Sequence, residues 1–370
     1  MRRLLSAILP FIVAAPLAGQ AEALRLPILV PVTGILALEG ASQRDGALLA
    51  LRDLPSGLHV EPQVIDTGST PEGAVTAFEL AMRDGTPVAV VAPILGTQML
   101  ALLPLADQRG VPLLTISGTA ALTETGNRWI FRYFPGDPVV KIAQARFAVE
   151  KLAIKKPALL YQTTAYGQSG RRHLLDELAR LGAPVVFEEA LAPTVKDFTA
   201  TLSKARAAGA DALILQLHAG PTALLIGQAR AQGFNLRIVA GSAMHQPATA
   251  ALLSPGELKD VCAESASSPI SGGSPQIDEF AAAYRKQFGA EPDAFALAQY
   301  DGVRHLIAAL ASGARTAQAV RDFLAASQHQ GVAMRYTSDG AGNMAHDAVI
   351  VCYDGKSRIP ALAARYAPAR

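Results

Sequence analysis

The chain has 370 residues, enough for two or three ordinary domains, and its 50% hydrophobic and 17% charged residues rule out global disorder. A formal net charge of +2 without a long basic run argues against a nucleic-acid partner. Seven histidines and two cysteines are too few and too scattered for a metal cluster, so we expect neither a metal nor another cofactor.

The first 23 residues have the pattern of a secretory signal peptide. Two arginines precede an apolar run over residues 4–17, and a small-residue A-x-A sequence ends at Ala23. A single membrane anchor is the alternative, but the run is short and contains prolines, and no later run reaches the roughly 18–20 apolar residues of a spanning helix. The sequence therefore predicts a periplasmic chain that is cleaved near Ala23.

Cys262 and Cys352 are the two cysteines of the chain. Export would place them in an oxidising compartment, where a disulfide can persist. Two buried free thiols remain the alternative, because cysteine is often simply a small core residue.

Beyond the signal, short apolar β-rich segments alternate with helical segments. The first block contains four predicted strands and three predicted helices: strands at residues 26–30, 60–66, 88–92 and 113–117, and helices at 45–53, 71–84 and 97–109. The second block repeats this pattern: strands at residues 158–162, 185–189, 212–217 and 237–241, and helices at 168–181, 197–208 and 221–232. Such alternation indicates parallel βαβ units, and two blocks indicate two lobes.

The last hundred residues differ from both blocks. They contain three predicted helices, at residues 276–288, 294–312 and 316–328, but only one clear strand, at 348–353. This region contains too few strands to form a third lobe. We expect its elements to complete the first two lobes, so that the chain crosses between the lobes more than once.

Enzyme signatures fail when they are checked residue by residue. Gly355-Lys356-Ser357 resembles the end of a phosphate-binding loop, but Ile350 occupies the position of the first glycine that such a loop requires. Ser169 lies in a sequence like a nucleophile elbow, but Arg171 replaces its closing glycine. A dispersed triad with Ser169 is the enzymatic alternative. The prediction is that the protein is not an enzyme.

The carboxyl ends of the predicted strands carry a consistent set of groups. Six of these ends lead into loops rich in hydroxyls and helix-start amides, at residues 31–34, 93–98, 117–120, 163–167, 218–220 and 241–243. In open parallel sheets ligands bind beyond these ends, and such groups suit a carboxylate or a neutral polar ligand. Any single loop could be only a helix cap or a turn. Six together favour a binding site.

Several short motifs also occur in a characteristic order and spacing. They are Pro31-Val32-Thr33-Gly34, Gly110-Val111-Pro112, the segment from Phe131 to Asp137, Tyr166-Gly167, Tyr300-Asp301 and Asp354-Gly355-Lys356. In these motifs the chain resembles the type I periplasmic substrate-binding proteins of branched-chain (hydrophobic) amino acid ABC importers, the group of the Leu/Ile/Val-binding proteins. The likeness covers nearly all of the mature chain.

The resemblance implies an α/β fold with two lobes, each a parallel sheet flanked by helices, and three hinge crossings. It implies lobe 1 at residues 24–136 and 266–337, and lobe 2 at 137–265 and 338–370. A small ligand would bind in the cleft and pass to an ABC transporter permease, with the receptor acting as a monomer. A ligand sensor or a regulator of cell-wall enzymes with the same fold is the alternative function.

By position, the resemblance implies ten ligand-binding residues: Glu39, Gly96, Thr97, Ser117, Thr119, Ala120, Tyr166, His218, Ser242 and Phe295. The loop with Ser117, Thr119 and Ala120 would hold a ligand carboxylate. Tyr166 would pack on the ligand from the second lobe, and Phe295 would line the apolar end.

One departure from the family concerns the ligand. The amino-acid binders carry an acidic residue after the strand at 237–241, where this chain has Ser242, and often an aromatic residue where it has Glu39. Either Glu39 replaces the missing acid, or the ligand has no ammonium group. We expect an amino acid, an amide, or an aliphatic or aromatic carboxylate, and the departure favours a small carboxylate or amide over leucine.

Overall fold

The computed structural model describes residues 23–367, in which two separate β-sheets form the centres of two lobes. The predicted signal peptide lies outside the described residues except for Ala23. Within residues 23–367, none of the helices combines the length and apolar character required to span a bilayer.

The first lobe contains a five-stranded sheet in the order β2-β1-β3-β4-β5, and every neighbouring pair is parallel. Its strands are β1 (Leu24–Val30), β2 (Val60–Asp66), β3 (Val90–Val91), β4 (Leu113–Thr115) and β5 (Ile130–Arg132). The helices between them are α1 (Ala37–Ala50), α2 (Pro71–Ala81), α3 (Gly96–Arg109) and α4 (Ala121–Glu124). Buried apolar side chains cover both faces of this sheet, as parallel strands require.

The second lobe contains a seven-stranded sheet. Its parallel strands are β6 (Pro157–Gln162), β7 (Phe187–Leu191), β8 (Ala212–Gln216), β9 (Arg237–Ala240) and β10 (Val261–Ser265). Its helices are α5 (Asp137–Arg146, continued by a π-helical turn at Phe147–Lys151), α6 (Ala165–Arg180), α7 (Thr199–Ala207), α8 (Ala219–Ala231) and α9 (Pro247–Ala250). Short 3₁₀ turns lie on either side of α9, at Ser242–His245 and Pro255–Leu258.

The last hundred residues of the chain return to the first lobe and then to the second. Their elements are α10 (Pro275–Phe288), α11 (Ala294–Ala311), α12 (Ala317–Ala326), the strand pair β11 (Gln328–Gln330) and β12 (Arg335–Thr337), β13 (Ala348–Cys352) and β14 (Ala361–Tyr366). Helix α11 packs on α1 so closely that a side chain at Gly46 would meet the Ala296 carbonyl. The two-lobed α/β architecture with three crossings is thereby confirmed. The residue limits of the lobes remain a prediction.

The edge of the second sheet departs from the parallel pattern. Strand β13 pairs antiparallel with β10, and β14 pairs antiparallel with β13, giving the order β14-β13-β10-β9-β8-β6-β7. Cys262 and Cys352 lie directly opposite each other on β10 and β13 and form a disulfide. In the structure this bond joins residues 90 positions apart and holds the returning strand to the sheet.

Candidate ligand-binding site

A cavity of about 30 Å³ lies between the two lobes. It is lined by Leu36, Glu39, Ile94, Ile116, Gly118, Phe134, Asp137, Val140, Tyr166, His218, Ser242, Ala243 and Phe295. One enclosed water needs roughly 10–15 Å³ in this measure, so the lobes are closed against each other. We therefore expect the lobes to separate when a ligand enters.

The first turn of α1 carries Glu39 into this cavity. Helix α1 lies so close to the end of β1 that a side chain at Gly40 would come within 2.0 Å of the Pro31 carbonyl oxygen. Only glycine permits this approach, and it leaves Glu39 with an exposed fraction of 1%. The helix starts eight residues before its predicted start because its first two turns bury the polar side chains of Glu39 and Gln43, which give no apolar periodicity.

Helix α6 positions Tyr166 on the opposite wall. The Thr164 hydroxyl caps the helix by accepting a hydrogen bond from the Gly167 N–H at 3.1 Å. A side chain at Gly167 would lie 1.9 Å from the Gln162 carbonyl oxygen, so this turn also requires glycine. The His218 ring stacks on the Tyr166 ring, with 5.0 Å between the centroids and 27° between the planes.

A buried ion pair supports this second-lobe wall. Lys141 of α5 and Glu264 of β10 are fully buried and bonded to each other. The Glu264 Oε1 atom also accepts hydrogen bonds from the N–H and the hydroxyl of Ser242, each at 2.9 Å. The Lys141 ammonium lies 5.2 Å from the centre of the Tyr166 ring. Although burial alone lowers it, the Glu264 carboxylate raises the pKa of Lys141 above its ordinary value.

The first-lobe loop after β4 also approaches the cavity. Gly118 lines it, and the hydroxyls of Ser117 and Thr119 are buried without a hydrogen-bond partner among residues 23–367. The Ala120 N–H does not face a ligand, because it donates to the Ser169 hydroxyl of the second lobe at 3.0 Å. Ser169 therefore serves as a contact between the lobes.

Five of the ten predicted binding residues line the cavity: Glu39, Tyr166, His218, Ser242 and Phe295. The other five do not line it, namely Gly96, Thr97, Ser117, Thr119 and Ala120. Gly96 packs against Thr119, where an added side chain would lie 2.1 Å from the hydroxyl oxygen.

Asp137, the first residue of α5, lines the cavity but was absent from the predicted site. Neither of its carboxyl oxygens has a hydrogen-bond partner in the described part of the chain. Burial raises the pKa of Asp137 to about 6, although the Lys141 charge opposes this shift. Its place at the end of the motif that begins at Phe131 was the available signal.

Glu39 is the second buried carboxyl of the cavity. Its Oε1 atom accepts a hydrogen bond from the Ala219 N–H at the start of α8, at 3.0 Å, whereas Oε2 has no partner within residues 23–367. Burial raises the pKa of Glu39 to about 7. Burial also lowers the pKa of the neighbouring His218 to about 4, so this imidazole is neutral at pH 7.

The remaining wall is apolar. The rings of Phe134 and Phe295 lie 5.3 Å apart and belong to the core of the first lobe. Among the described residues no group of three His, Cys, Asp or Glu side chains is arranged to hold a metal. Apolar rings together with a few unpaired polar groups are typical of a binding pocket for a small amphipathic molecule.

Comparison with known proteins agrees with this architecture. Residues 23–357 match the family model described as periplasmic binding protein. A leucine-, isoleucine-, valine-, threonine- and alanine-binding protein of Pseudomonas aeruginosa is 27% identical over 225 residues, which cover 59% of this chain and 60% of that protein, less than two thirds of its length. An amino acid binding protein of the same organism is 26% identical over 343 residues, which cover 89% of each chain.

Among solved structures, a leucine-binding protein from Thermotoga maritima has a TM-score of 0.86 at 22% identity, covering 94% of this chain and 99% of that chain. At this identity the likeness shows the fold alone. The family model covers nearly all of the described residues, and the resemblance inferred from the motifs is confirmed. The chain belongs to the periplasmic binding protein family.

Proposed function

We propose that this protein is the solute receptor of an ABC importer, which binds a small molecule between its lobes and delivers it to the transporter permease. The observation that carries the proposal is the interlobe cavity, where buried polar groups without partners face the apolar rings of the first lobe. Such a pocket gives a ligand hydrogen bonds that the closed protein alone does not make. The receptor acts as a periplasmic monomer without enzymatic activity.

The absence of turnover is part of this proposal. Ser169, the one serine in a nucleophile-like sequence, accepts a hydrogen bond from Ala120, and the hydrogen bonds of the described residues give it no histidine partner. A nucleophilic serine needs an adjacent base. The ligand classes that fit the walls are amino acids, amides, and aliphatic or aromatic carboxylates.

A thermal-shift screen of the protein against these classes tests the proposal. A ligand that binds only the folded chain stabilises it by about 2.7 kcal/mol at a hundredfold excess over Kd. A dose-dependent rise in Tm with one class, and no consumption of the compound, is the expected result. No shift with any class would contradict a receptor for these solutes and favour a protein partner.

A further inference from the structure

We propose that Glu39 is a charge-gated latch, in which one carboxylate both closes the second lobe onto the first and receives a positively charged group of the ligand. This inference rests on the proposed receptor function and adds the charge of the ligand. The two oxygens of Glu39 divide these tasks, because Oε1 is bonded across the cleft and Oε2 is not.

The latch half of the proposal rests on the bond to α8. Glu39 belongs to the first lobe, and the Ala219 N–H that it accepts is at the amino-terminal end of a 13-residue helix in the second lobe. The partial positive charge of that helix end favours a carboxylate over a neutral acid. Burial outweighs this preference while no cation is present, because it raises the pKa of Glu39 to about 7 in the closed structure. Ionised Glu39 therefore holds the lobes closed only when a cation of the ligand lies beside it.

The recognition half rests on the missing counter-charge. Within residues 23–367 no lysine or arginine lies within 4.0 Å of Glu39, and the one basic side chain at that distance is the neutral His218. The buried Lys141 is already bonded to Glu264. A buried carboxylate without a cation is costly, so a cation on the ligand would supply what the protein lacks.

The other titratable groups near Glu39 strengthen this need. Asp293 at the start of α11 acts against its ionisation, and Asp137 at the start of α5 adds a second bare carboxyl to the same cavity. His218 ahead of α8 and Tyr166 on α6 are neutral at pH 7. The cavity thus offers two acidic groups and no free cation among the described residues. The sequence favoured a ligand without an ammonium group, whereas the bare Oε2 atom favours one that has it.

Binding of matched probes tests the recognition half. The probes are L-leucine, 4-methylpentanoate and 3-methylbutylamine, with L-phenylalanine, 3-phenylpropanoate and 2-phenylethylamine as an aromatic set. Each set keeps one apolar side chain and removes either the ammonium or the carboxylate group. We expect ammonium-bearing probes to bind the wild type, and Glu39→Gln to weaken their binding at least tenfold, because glutamine keeps the size and the acceptor but loses the charge.

Glu124→Gln is the matched control. Glu124 also bonds across the cleft, to Arg172 at 3.1 Å, but both side chains are about half exposed. This variant should bind every probe as the wild type does. Equal affinity of wild type and Glu39→Gln for the ammonium probes, or tighter binding of 4-methylpentanoate or 3-phenylpropanoate than of the amines and amino acids, would overturn the proposal and leave the receptor function standing.

A measurement without ligand tests the latch by itself. In protein labelled with ¹⁵N-alanine, the Ala219 amide signal should shift between pH 6 and pH 8 in the wild type and in Glu124→Gln, but not in Glu39→Gln. A signal that stays unchanged in the wild type would overturn the latch. If no probe binds at all, the receptor proposal fails for these solutes, and this titration still decides the latch.

Discussion

Two buried glutamates beside the cavity have opposite surroundings. Glu264 of the second lobe is bonded to the Lys141 cation and to Ser242, whereas Glu39 of the first lobe has one backbone partner and no lysine or arginine within 4.0 Å among residues 23–367. Each of the two has one carboxyl oxygen without a hydrogen-bond partner in the described part of the chain. Their exposed fractions are 0% and 1%, so burial does not distinguish them. The paired carboxylate supports the wall of the cavity, and the unpaired one is left for an external group. The presence of a buried counter-charge, and not the number of hydrogen bonds, distinguishes a structural charge from a binding charge.

Breaking the paired charge should have the largest effect. Glu264→Gln removes the carboxylate that is bonded to the buried Lys141 ammonium, and breaking a buried pair in this way typically costs about 3–5 kcal/mol of unfolding free energy. Urea denaturation of the two proteins measures this loss. The double variant Lys141→Met with Glu264→Gln should recover most of it, since neither member of the pair is then charged. A single variant as stable as the wild type would show that the pair is not needed for folding.

Glu39→Gln should change the free energy of unfolding in the opposite direction, and the size of this change should depend on pH. The pKa of Glu39 is raised from 4.5 to about 7 in the fold, so the folded chain binds more protons than the unfolded chain between these values. Wild-type stability relative to Glu39→Gln is therefore highest at and below pH 4.5, is lost as the pH rises from 4.5 through about 7, and stays constant at higher pH. At pH 8 the ligand-free variant should be more stable by up to about 3 kcal/mol. A difference that does not change with pH would contradict this account.

Tyr166→Ala tests the wall that the Lys141–Glu264 pair supports. It removes the ring that stacks on His218, and it should weaken binding of the solute found by the thermal-shift screen by about 1–3 kcal/mol. Tyr166→Phe keeps the ring and should bind within a few fold of the wild type. Calorimetric titration gives both affinities, and an unchanged affinity of Tyr166→Ala would remove this side chain from the site.

The exposed ion pair between the lobes should contribute least to the free energy of unfolding. The Glu124 and Arg172 side chains are 51% and 54% exposed, and pairs of this kind contribute about 0–1 kcal/mol. Urea denaturation of Glu124→Gln should therefore give a curve close to that of the wild type, with any difference reduced by added salt. A loss as large as that expected for Glu264→Gln would mean that charges between the lobes, and not burial, control stability.

The sequence predicted the fold class because parallel strands that are covered on both faces are continuous apolar runs. It missed α5 and β10 because buried charged side chains lie among their apolar residues, Asp137 and Lys141 in α5 and Glu264 in β10. Such charges interrupt the apolar pattern from which an element is inferred. The Lys141 and Glu264 charges are accounted for by their ion pair, and that contact between distant segments is known only from the tertiary structure.

The sequence predicted part of the candidate site, as it predicted part of the fold. Loop positions at strand ends identified Tyr166, His218 and Ser242 as binding candidates, and all three line the cavity. Which polar atoms are already bonded could not be predicted, since the Ala120 N–H is used by Ser169 and the Asp137 carboxyl is left bare. The ten predicted binding residues remain a prediction until ligand binding is measured.

The central claim is that the lobes open to admit a solute and close over it in the cavity of about 30 Å³. Small-angle X-ray scattering of the wild type at pH 8, where Glu39 is ionised, with and without the solute that gives the largest thermal shift, tests this claim most directly. The account predicts a larger radius of gyration without the solute, falling on saturation to the value calculated for the closed structure. The same radius of gyration in both samples would contradict it.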